Sequence, residues 1–274
     1  MEFVNINGKI LRREEARIKP DDHSYRYGDG LFETMKVVDG KIFLENFHFE
    51  RLFHGFEILK FQVPEFFLTE KLSAEVTELC RKNQCQESAR VRLSISRGNG
   101  GLYDGDENLN YVIECSPIKN EEEKSLVVDI FPDAKKSCDI FSNLKSANFL
   151  PYVMAAKFAR ENNLDDCLVL NVHGRICDAT IANVFWIKGE KIFTPPLSEG
   201  CVAGVMRRWL IEKLQSASGR YKLKENACEI KDLENADEIF LTNSVRGIMP
   251  VKKFGGREMS DQRMKKIKQQ ARNL

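Results

Sequence analysis

Short turns between apolar runs constrain the fold of this 274-residue chain more than any other feature. Asn7-Gly8 and Asp39-Gly40 each separate two apolar runs, which is the pattern of a two-residue β-hairpin. His173-Gly174 and Gly189 indicate two further hairpins in the second half of the chain. The strands of these hairpins are expected at 3–5, 9–11, 31–38, 41–44, 168–172, 176–178, 184–187 and 191–194. Hairpins mixed with helices predict an α+β fold rather than a regular βαβ array.

Apolar residues at helical spacing predict helices between the strands. The clearest covers 47–60, and others are expected at 68–83, 148–161 and 204–214, the third with Asn148 as N-cap and Pro151 in its first turn. The polar stretch SPIKNEEEK is interpreted as a domain boundary. It divides the chain into a smaller N-terminal domain (1–118), a linker (119–124) and a larger C-terminal domain (125–274). A surface loop within a single domain is the alternative.

The composition is that of a soluble globular protein, with 42% apolar residues, 30% charged residues and a net charge of +1. A charge so close to zero gives no reason to expect nucleic acid or an anionic membrane as partner. The eight cysteines are scattered, without a CxxC pair or zinc spacing, so no metal is expected. Together with an N-terminus unlike a signal peptide, they favour a reducing cytoplasm.

Several segments contain residues that could bind a ligand. Lys145 lies among small and amide side chains in SNLKSANFLP, and a desolvated lysine amine can form a Schiff base. Gly200 and Gly204 precede a predicted helix whose first N–H groups could bind phosphate. Arg51 follows His48 on one face of a helix and could hold a phosphate bidentately. Each feature also has a structural interpretation: a solvated amine, a glycine turn, or an arginine that extends to water.

Two more segments add a carboxylate and hydroxyl groups. Asp178 ends the strand of GRICDA, and Thr242 and Ser244 lead from a strand into a turn closed by Gly247. Such hydroxyls more often cap turns than bind ligands. Taken together, however, the amine, carboxylate, arginine, hydroxyls and helix N-terminus match what pyridoxal phosphate requires.

The order of these segments resembles the class IV aminotransferases, which are pyridoxal-phosphate enzymes of fold type IV. The resemblance covers nearly the whole chain, from YGDGLFETMKV to FLTNSVRGIMPV, and HFERL, LKSANFLP, GRICDATIANVFWIKGEKIFTPPL and GCVAGVMRR are its most specific parts. The family includes branched-chain aminotransferases, D-amino acid aminotransferases and aminodeoxychorismate lyases. It implies two domains with the cofactor between them, and a homodimer.

The resemblance also implies a role for each matching residue. Lys145 matches the lysine that holds the cofactor covalently and then acts as general base. Arg51 matches the arginine that binds the phosphate, and Asp178 matches the acid that pairs with the pyridine nitrogen. Further positions that match phosphate-binding backbone or hydroxyl groups are Gly204, Val205, Met206 and Ser244. Tyr27 matches a tyrosine that lines the substrate pocket.

The sequence departs from the family pattern at two cofactor positions. Asp178 stands where the family usually has glutamate, which requires a closer approach to the ring or a bridging water. Phe149 stands where branched-chain enzymes often have a tyrosine, so it offers no hydroxyl to the cofactor.

Substrate choice is less constrained by the sequence. GNGGLYDGDEN lacks the Arg-x-His pair of D-amino acid enzymes, and Leu102 replaces an arginine common in the lyases. Arg90 and Arg92 alternate onto one strand face and could bind a carboxylate, or could be solvated. We therefore expect a transaminase for branched-chain or similar apolar L-amino acids and 2-oxo acids. The alternatives are an aminodeoxychorismate lyase of 4-aminobenzoate synthesis and a catalytically silent ligand-binding relative.

Overall fold

The chain divides into two compact units. The structure, a computed structural model, describes residues 2–106, 108–118, 124–216 and 222–272. An N-terminal unit comprises Met1–Asn120 and Leu144–Phe149, and a C-terminal unit comprises Glu121–Asn143 and Leu150–Leu274. Most of the predicted linker, 119–123, lies outside the described residues. No described helix is long and apolar enough to span a membrane.

The N-terminal unit is built on a six-stranded sheet with the order β2-β1-β6-β5-β3-β4, in which every neighbouring pair is antiparallel. The first two predicted hairpins are confirmed, with positive φ at both residues of Asn7-Gly8 and of Asp39-Gly40. The elements are β1 (Phe3–Ile6), β2 (Lys9–Arg12), α1 (His23–Tyr27), β3 (Gly30–Val38), β4 (Lys41–Ile42), α2 (Glu45–Leu59), α3 (Thr69–Lys82), β5 (Ser88–Ser96) and β6 (Asn110–Pro117).

Strand alternation gives this sheet two different faces. The odd-numbered residues of the central strands, such as Met35, Val91, Leu93 and Ile113, are buried in the core. That core also contains Phe49, Phe56, Leu72 and Leu79 of α2 and α3, so the two helices cover this face. The even-numbered residues of β3 and β5, which include Phe32 and Arg92, project from the other face.

The C-terminal unit contains a closed barrel. Strand β9 pairs with both β8 and β10, so the order β10-β13-β14-β7-β8-β9 returns to β10. Closure leaves these six strands without a free edge. The elements are β7 (Leu126–Lys136), α4 (Leu150–Glu161), β8 (Asp166–Asn171), β9 (Ile176–Ala179), β10 (Asn183–Lys188), β11 (Lys191–Thr194), α5 (Val205–Ser216), β12 (Lys222–Glu225), α6 (Ile230–Glu234), β13 (Glu238–Asn243), β14 (Gly247–Phe254), β15 (Arg257–Glu258) and α7 (Gln262–Arg272).

The predicted fold class is confirmed, but some boundaries differ. Helix α4 begins at Leu150, so Asn148 is not its N-cap, while Pro151 does lie in its first turn. The reason is that residues 144–149 are engaged elsewhere: they form backbone hydrogen bonds with β3. Helices α1, α6 and α7 and strands β12, β14 and β15 were not predicted, because they are short, charged or interrupted by proline and glycine.

Candidate active site

Lys145 lies on a short extended segment that pairs with the start of β3. The Phe32 N–H donates to the Lys145 carbonyl at 2.9 Å, and the Ala147 N–H donates to the Gly30 carbonyl at 2.8 Å. Leu144 anchors the segment in the apolar core of the N-terminal unit. The backbone around Lys145 is thus fixed on both sides of the lysine.

The Lys145 amine lies against two aromatic rings. Its Nζ is 4.5 Å from the centre of the Phe32 ring and 5.4 Å from that of Phe149. The two rings meet edge to face at 5.4 Å. A half-buried ammonium group over ring faces gains cation–π attraction but loses part of its hydration. Lys145 therefore has an environment unlike that of the exposed Lys135.

Arg92 contacts the same phenylalanine as Lys145. Its Cζ lies 3.9 Å from the centre of the Phe32 ring, and its Nε donates to Ser94 Oγ at 3.0 Å. Burial lowers the pKa of the Arg92 guanidinium, although it stays a cation. Arg90 is exposed by contrast. Of the two predicted carboxylate-binding arginines, the structure thus brings Arg92 to the ring that also contacts the amine.

Arg51 belongs to a buried charge cluster on the helix-covered face of the sheet. Its Nε and Nη2 donate to the two carboxylate oxygens of Glu33, at 2.8 and 2.5 Å. His48 Nδ1 lies 2.6 Å from Glu33 Oε2, and both Glu33 and His48 are buried. This bidentate pairing fixes the plane of the guanidinium. Phe32 and Glu33 are consecutive on β3, so one strand anchors both the Lys145 and the Arg51 clusters.

The Glu33 carboxylate should make the N-terminal unit sensitive to acid. Burial favours the neutral form, but the charges and hydrogen bonds of Arg51 and His48 outweigh it and lower the pKa of Glu33 from 4.5 to about 2. A depressed pKa stabilises the folded state above pH 4.5 and loses that effect as pH falls toward 2. The shift corresponds to roughly 3 kcal/mol of unfolding free energy.

We expect the stability of Glu33→Gln to depend less steeply on pH between pH 4.5 and 2 than that of the unchanged protein, by roughly the 3 kcal/mol assigned to Glu33. Urea unfolding at a series of pH values, followed by circular dichroism, measures this slope. Glu57→Gln, which removes an exposed carboxylate from α2, is the matched control and should keep the slope. Equal slopes in the two variants would disprove the contribution of Glu33.

Tyr27 occupies a more open position. It is the last residue of α1, its side chain is 44% exposed, and its ring meets that of His23 edge to face at 5.2 Å. Gly28 follows in the left-handed conformation, where an added Cβ would lie 3.4 Å from the Asn148 backbone. The tyrosine is therefore held near residues 144–149 by a turn that favours glycine.

Asp178 lies on β9 in the C-terminal unit, is 2% exposed and accepts hydrogen bonds from four donors. Its Oδ2 accepts from Tyr152 Oη at 2.7 Å, from the Val202 N–H at 2.9 Å and from Lys136 Nζ at 3.2 Å. Its Oδ1 accepts from Asn183 Nδ2 at 3.0 Å. This arrangement fixes the orientation of the carboxylate.

Burial and a neighbouring cation have opposite effects on the pKa of Asp178. Burial raises the pKa of Asp178, while Lys136 and the Tyr152 hydroxyl act in the opposite direction. Burial, followed by the charge of Asp178, also raises the pKa of Tyr152, so Tyr152 remains a neutral donor. Lys136 is thus the partner that favours an ionised Asp178 in a buried position.

Asn183 links Asp178 to the N-terminus of α5. Besides its bond to Asp178, its Nδ2 donates to the Val202 carbonyl at 2.8 Å. A Cβ on Gly204 would lie only 1.8 Å from Asn183 Oδ1, so any larger residue here would displace the Asn183 side chain. Val205 and Met206 follow as the first, buried residues of α5. The first N–H groups of a helix have no acceptor within it and attract anions.

Thr242 and Ser244 lie at the end of β13, which pairs with β10 so that Thr242 is opposite Asn183. Asn243 Oδ1 accepts the N–H groups of Val245 and Arg246 at 3.0 and 2.8 Å and thereby shapes the turn that carries Ser244. The buried Thr242 Oγ1 has no hydrogen-bond partner among the described residues. An unpaired buried hydroxyl beside Asn183 is consistent with a polar ligand at this end of the barrel.

These residues fit the two polar ends of pyridoxal phosphate. A fixed anionic carboxylate suits a protonated ring nitrogen, and the glycine-led helix N-terminus with adjacent hydroxyl groups suits a phosphate. The sequence did not identify the residues that hold Asp178 and Arg51 in place. These are Lys136, Tyr152, Asn183 and Val202 for Asp178, and Glu33 for Arg51. The only sequence signal for Glu33 was a carboxylate inside an apolar strand, three residues before Lys36.

Comparisons with known proteins show the family to which the chain belongs. The model of the class IV aminotransferases matches residues 30–254, so the chain belongs to that family. The family depends on pyridoxal phosphate, which is therefore the cofactor of this protein. An aminodeoxychorismate lyase of Bacillus subtilis is 30% identical over 92% of this chain and 86% of its own length.

Solved structures share the fold over almost the whole chain. A branched-chain aminotransferase from Thermoproteus uzoniensis superposes with a TM-score of 0.90 at 23% identity, over 99% of this chain and 93% of its own. An aminodeoxychorismate lyase from Pseudomonas aeruginosa gives 0.85 at 26% identity, over 98% of each chain. Names of both activities thus occur among the relatives, and the family membership alone does not choose between them.

Proposed function

We propose that this protein is an aminotransferase that moves an amino group between an apolar L-amino acid and a 2-oxo acid. The observation that carries the proposal is the position of the Lys145 amine beside Phe32 and Phe149, with Arg92 on the same Phe32 ring. The amine supplies the base, the rings supply an apolar wall, and the guanidinium supplies a carboxylate anchor.

The bound cofactor draws electrons away from the substrate Cα, and this chain's side chains do the rest. Lys145 would hold the cofactor covalently, and its amine would be the base for the proton on the substrate Cα. Asp178, oriented by Tyr152 and Asn183, would favour a protonated ring nitrogen. The residues that would bind the phosphate are Arg51, Ser244 through its hydroxyl, and Gly204, Val205 and Met206 at the start of α5.

Asp178 compensates for its short side chain through its surroundings. Four donors hold it, and Lys136 favours its ionised form. Asp178 would be the carboxylate that pairs with the protonated ring nitrogen. Phe149 contributes an aromatic wall in place of a hydroxyl group.

The two aromatic rings and the single half-buried arginine near Lys145 favour an apolar L-amino acid as the substrate. One half-buried guanidinium, Arg92, matches the single carboxylate of such a substrate, and Arg90 is too exposed to contribute much. Tyr27 and the two phenylalanines then contact the apolar side chain. A hydrogen-bonded carboxylate anchor of this kind contributes about 1.5–3 kcal/mol.

Arg92→Leu should raise the KM for the amino acid about 10- to 100-fold, because the leucine retains contact with Phe32 but not the charge. Arg90→Leu on the same strand is the matched control and should change KM little. Steady-state kinetics with leucine and 2-oxoglutarate measure both. Equal effects of the two substitutions would exclude Arg92 as the anchor.

Aminodeoxychorismate lyase is the second candidate, favoured by the 30% identity to the Bacillus subtilis enzyme. A paired assay separates the two. We expect turnover of leucine or valine with 2-oxoglutarate, and no pyruvate release from aminodeoxychorismate. Pyruvate release without net transamination would establish the lyase instead. Absence of turnover in both assays, with cofactor bound, would favour a catalytically silent relative.

We further propose a cytoplasmic homodimer. All eight cysteines are free thiols, which suits a reducing compartment. On α4, Leu150, Val153 and Met154 form an exposed apolar stripe, and apolar stripes of this kind often mark subunit interfaces.

A further inference from the structure

Three of the eight cysteines meet in the core of the N-terminal unit, on elements that carry none of the proposed active-site residues. Cys80 lies in the last turn of α3, Cys85 follows that helix, and Cys115 lies on β6. Their Sγ atoms all lie within 4.8 Å of one another, and those of Cys85 and Cys115 are 3.7 Å apart. Among the described residues, no other group of three potential metal ligands meets that distance. We call it the three-sulfur cluster.

The local fold holds the three-sulfur cluster in place. After α3, Gln84 adopts a positive φ of 54°, and the Cys85 N–H returns to the Cys80 carbonyl at 3.0 Å. The Asn83 side chain accepts from the Phe3 N–H at 3.0 Å and donates to the Phe3 carbonyl at 2.9 Å. It also donates to Cys115 Sγ at 3.2 Å. The sulfurs are therefore brought together by a helix end, a strand and a fixed amide.

Hydrogen bonds of the thiols tie the three-sulfur cluster together. The Cys85 thiol donates to Cys115 Sγ at 3.7 Å and to the Cys80 carbonyl at 3.6 Å. The Cys115 thiol donates to the Leu79 carbonyl at 3.7 Å. Thiolates are the form in which cysteines bind metals.

The spacing of the sulfurs suits a metal ion at the centre. Metal–sulfur bonds of about 2.3 Å place sulfurs roughly 3.8 Å apart in a tetrahedral site and roughly 4.0 Å apart in a trigonal one. A disulfide would need an S–S distance of about 2.05 Å. Zinc in structural sites takes four ligands, whereas the three-sulfur cluster offers three, all soft. Soft thiolate ligands select Cu(I).

We propose that Cys80, Cys85 and Cys115 form a buried three-coordinate site for a soft monovalent metal ion of the Cu(I) type. The site is separate from the proposed active site and does not depend on the proposed reaction. Each thiol that binds as a thiolate releases its proton to solvent, so no change in oxidation state is involved.

The test is an anaerobic Cu(I) titration of the full-length, cofactor-loaded protein in competition with the chromophoric chelator bicinchoninate. We expect one equivalent bound per chain. Cys115→Ser and Cys85→Ser should weaken binding about 100-fold or more, since each removes a ligand. The matched controls are Cys167→Ser, which removes a buried thiol from the barrel, and Cys138→Ser, which removes a partly exposed one. Both should bind as the unchanged protein does.

X-ray absorption of the loaded, unsubstituted protein provides a second measurement in case a variant fails to fold. Three sulfurs at about 2.3 Å support the site. Binding that survives both ligand substitutions, coordination by nitrogen or oxygen, or less than one equivalent bound would overturn it. A Cys85–Cys115 disulfide in the protein as isolated would also overturn it.

Discussion

Replacing Lys145 by alanine should abolish the visible absorption of the lysine-bound cofactor and lower kcat by about 10²- to 10⁴-fold or more. The amine is the only group that we assign both to covalent attachment and to proton transfer at Cα. Its loss removes both functions, while Arg51 and the start of α5, which we propose bind the phosphate, remain. The protein should therefore still bind the cofactor, but without the covalent bond. Absorption spectra and single-turnover rates measure the two effects.

Lys135→Ala is the matched control for this substitution. Lys135 is an exposed lysine on β7, so its removal should change neither the spectrum nor kcat. The fold of Lys145→Ala should be preserved, because the backbone bonds of Lys145 to β3 do not involve its side chain. An unchanged visible spectrum in Lys145→Ala would refute the assignment of Lys145.

Asp178→Asn should lower kcat by about 10²- to 10³-fold, the size of effect seen when one preorganised electrostatic contact is lost. Asparagine is nearly isosteric but uncharged, so it cannot hold the cofactor's ring nitrogen in its protonated form. The substitution also leaves Lys136 as a largely buried cation without its partner, since the two are 3.2 Å apart. Such a loss costs on the order of 3 kcal/mol of unfolding free energy.

A double variant separates the effect on catalysis from the effect on stability. Asp178→Asn combined with Lys136→Met removes both charges, so stability should recover while kcat stays low. Asp166→Asn is the control for removing a buried carboxylate from the same sheet, because Asp166 accepts hydrogen bonds from the Thr180 N–H and hydroxyl and is not one of the proposed cofactor contacts. Near-normal kcat in Asp178→Asn would show that this carboxylate does not serve the cofactor.

The hairpins and longer helices could be predicted from the sequence because their signals are local. The Asn-Gly and Asp-Gly turns dictate positive φ angles, and the phenylalanines of α2 repeat at helical spacing. The start of α4 could not be predicted, because the hydrogen bonds of residues 144–149 are with β3, more than a hundred residues earlier. Closure of the barrel through β9 likewise depends on pairings that no local pattern encodes.

The family motifs identified Lys145, Arg51 and Asp178 as candidate site residues, but not the residues that contact them from other elements. Lys136 follows Lys135 in a polar stretch of the sequence, yet it is largely buried against Asp178. The contact between Asn183 and Asp178 depends on the pairing of β9 with β10, which the sequence did not predict.

Reductive trapping of the cofactor tests the central claim most directly. Borohydride fixes a lysine-bound pyridoxal phosphate irreversibly, and peptide mass spectrometry then locates the modified residue. We predict that the label lies on Lys145 and nowhere else in the chain. A label on Lys136, the largely buried lysine beside Asp178, or a protein that takes up no label at all would contradict the account.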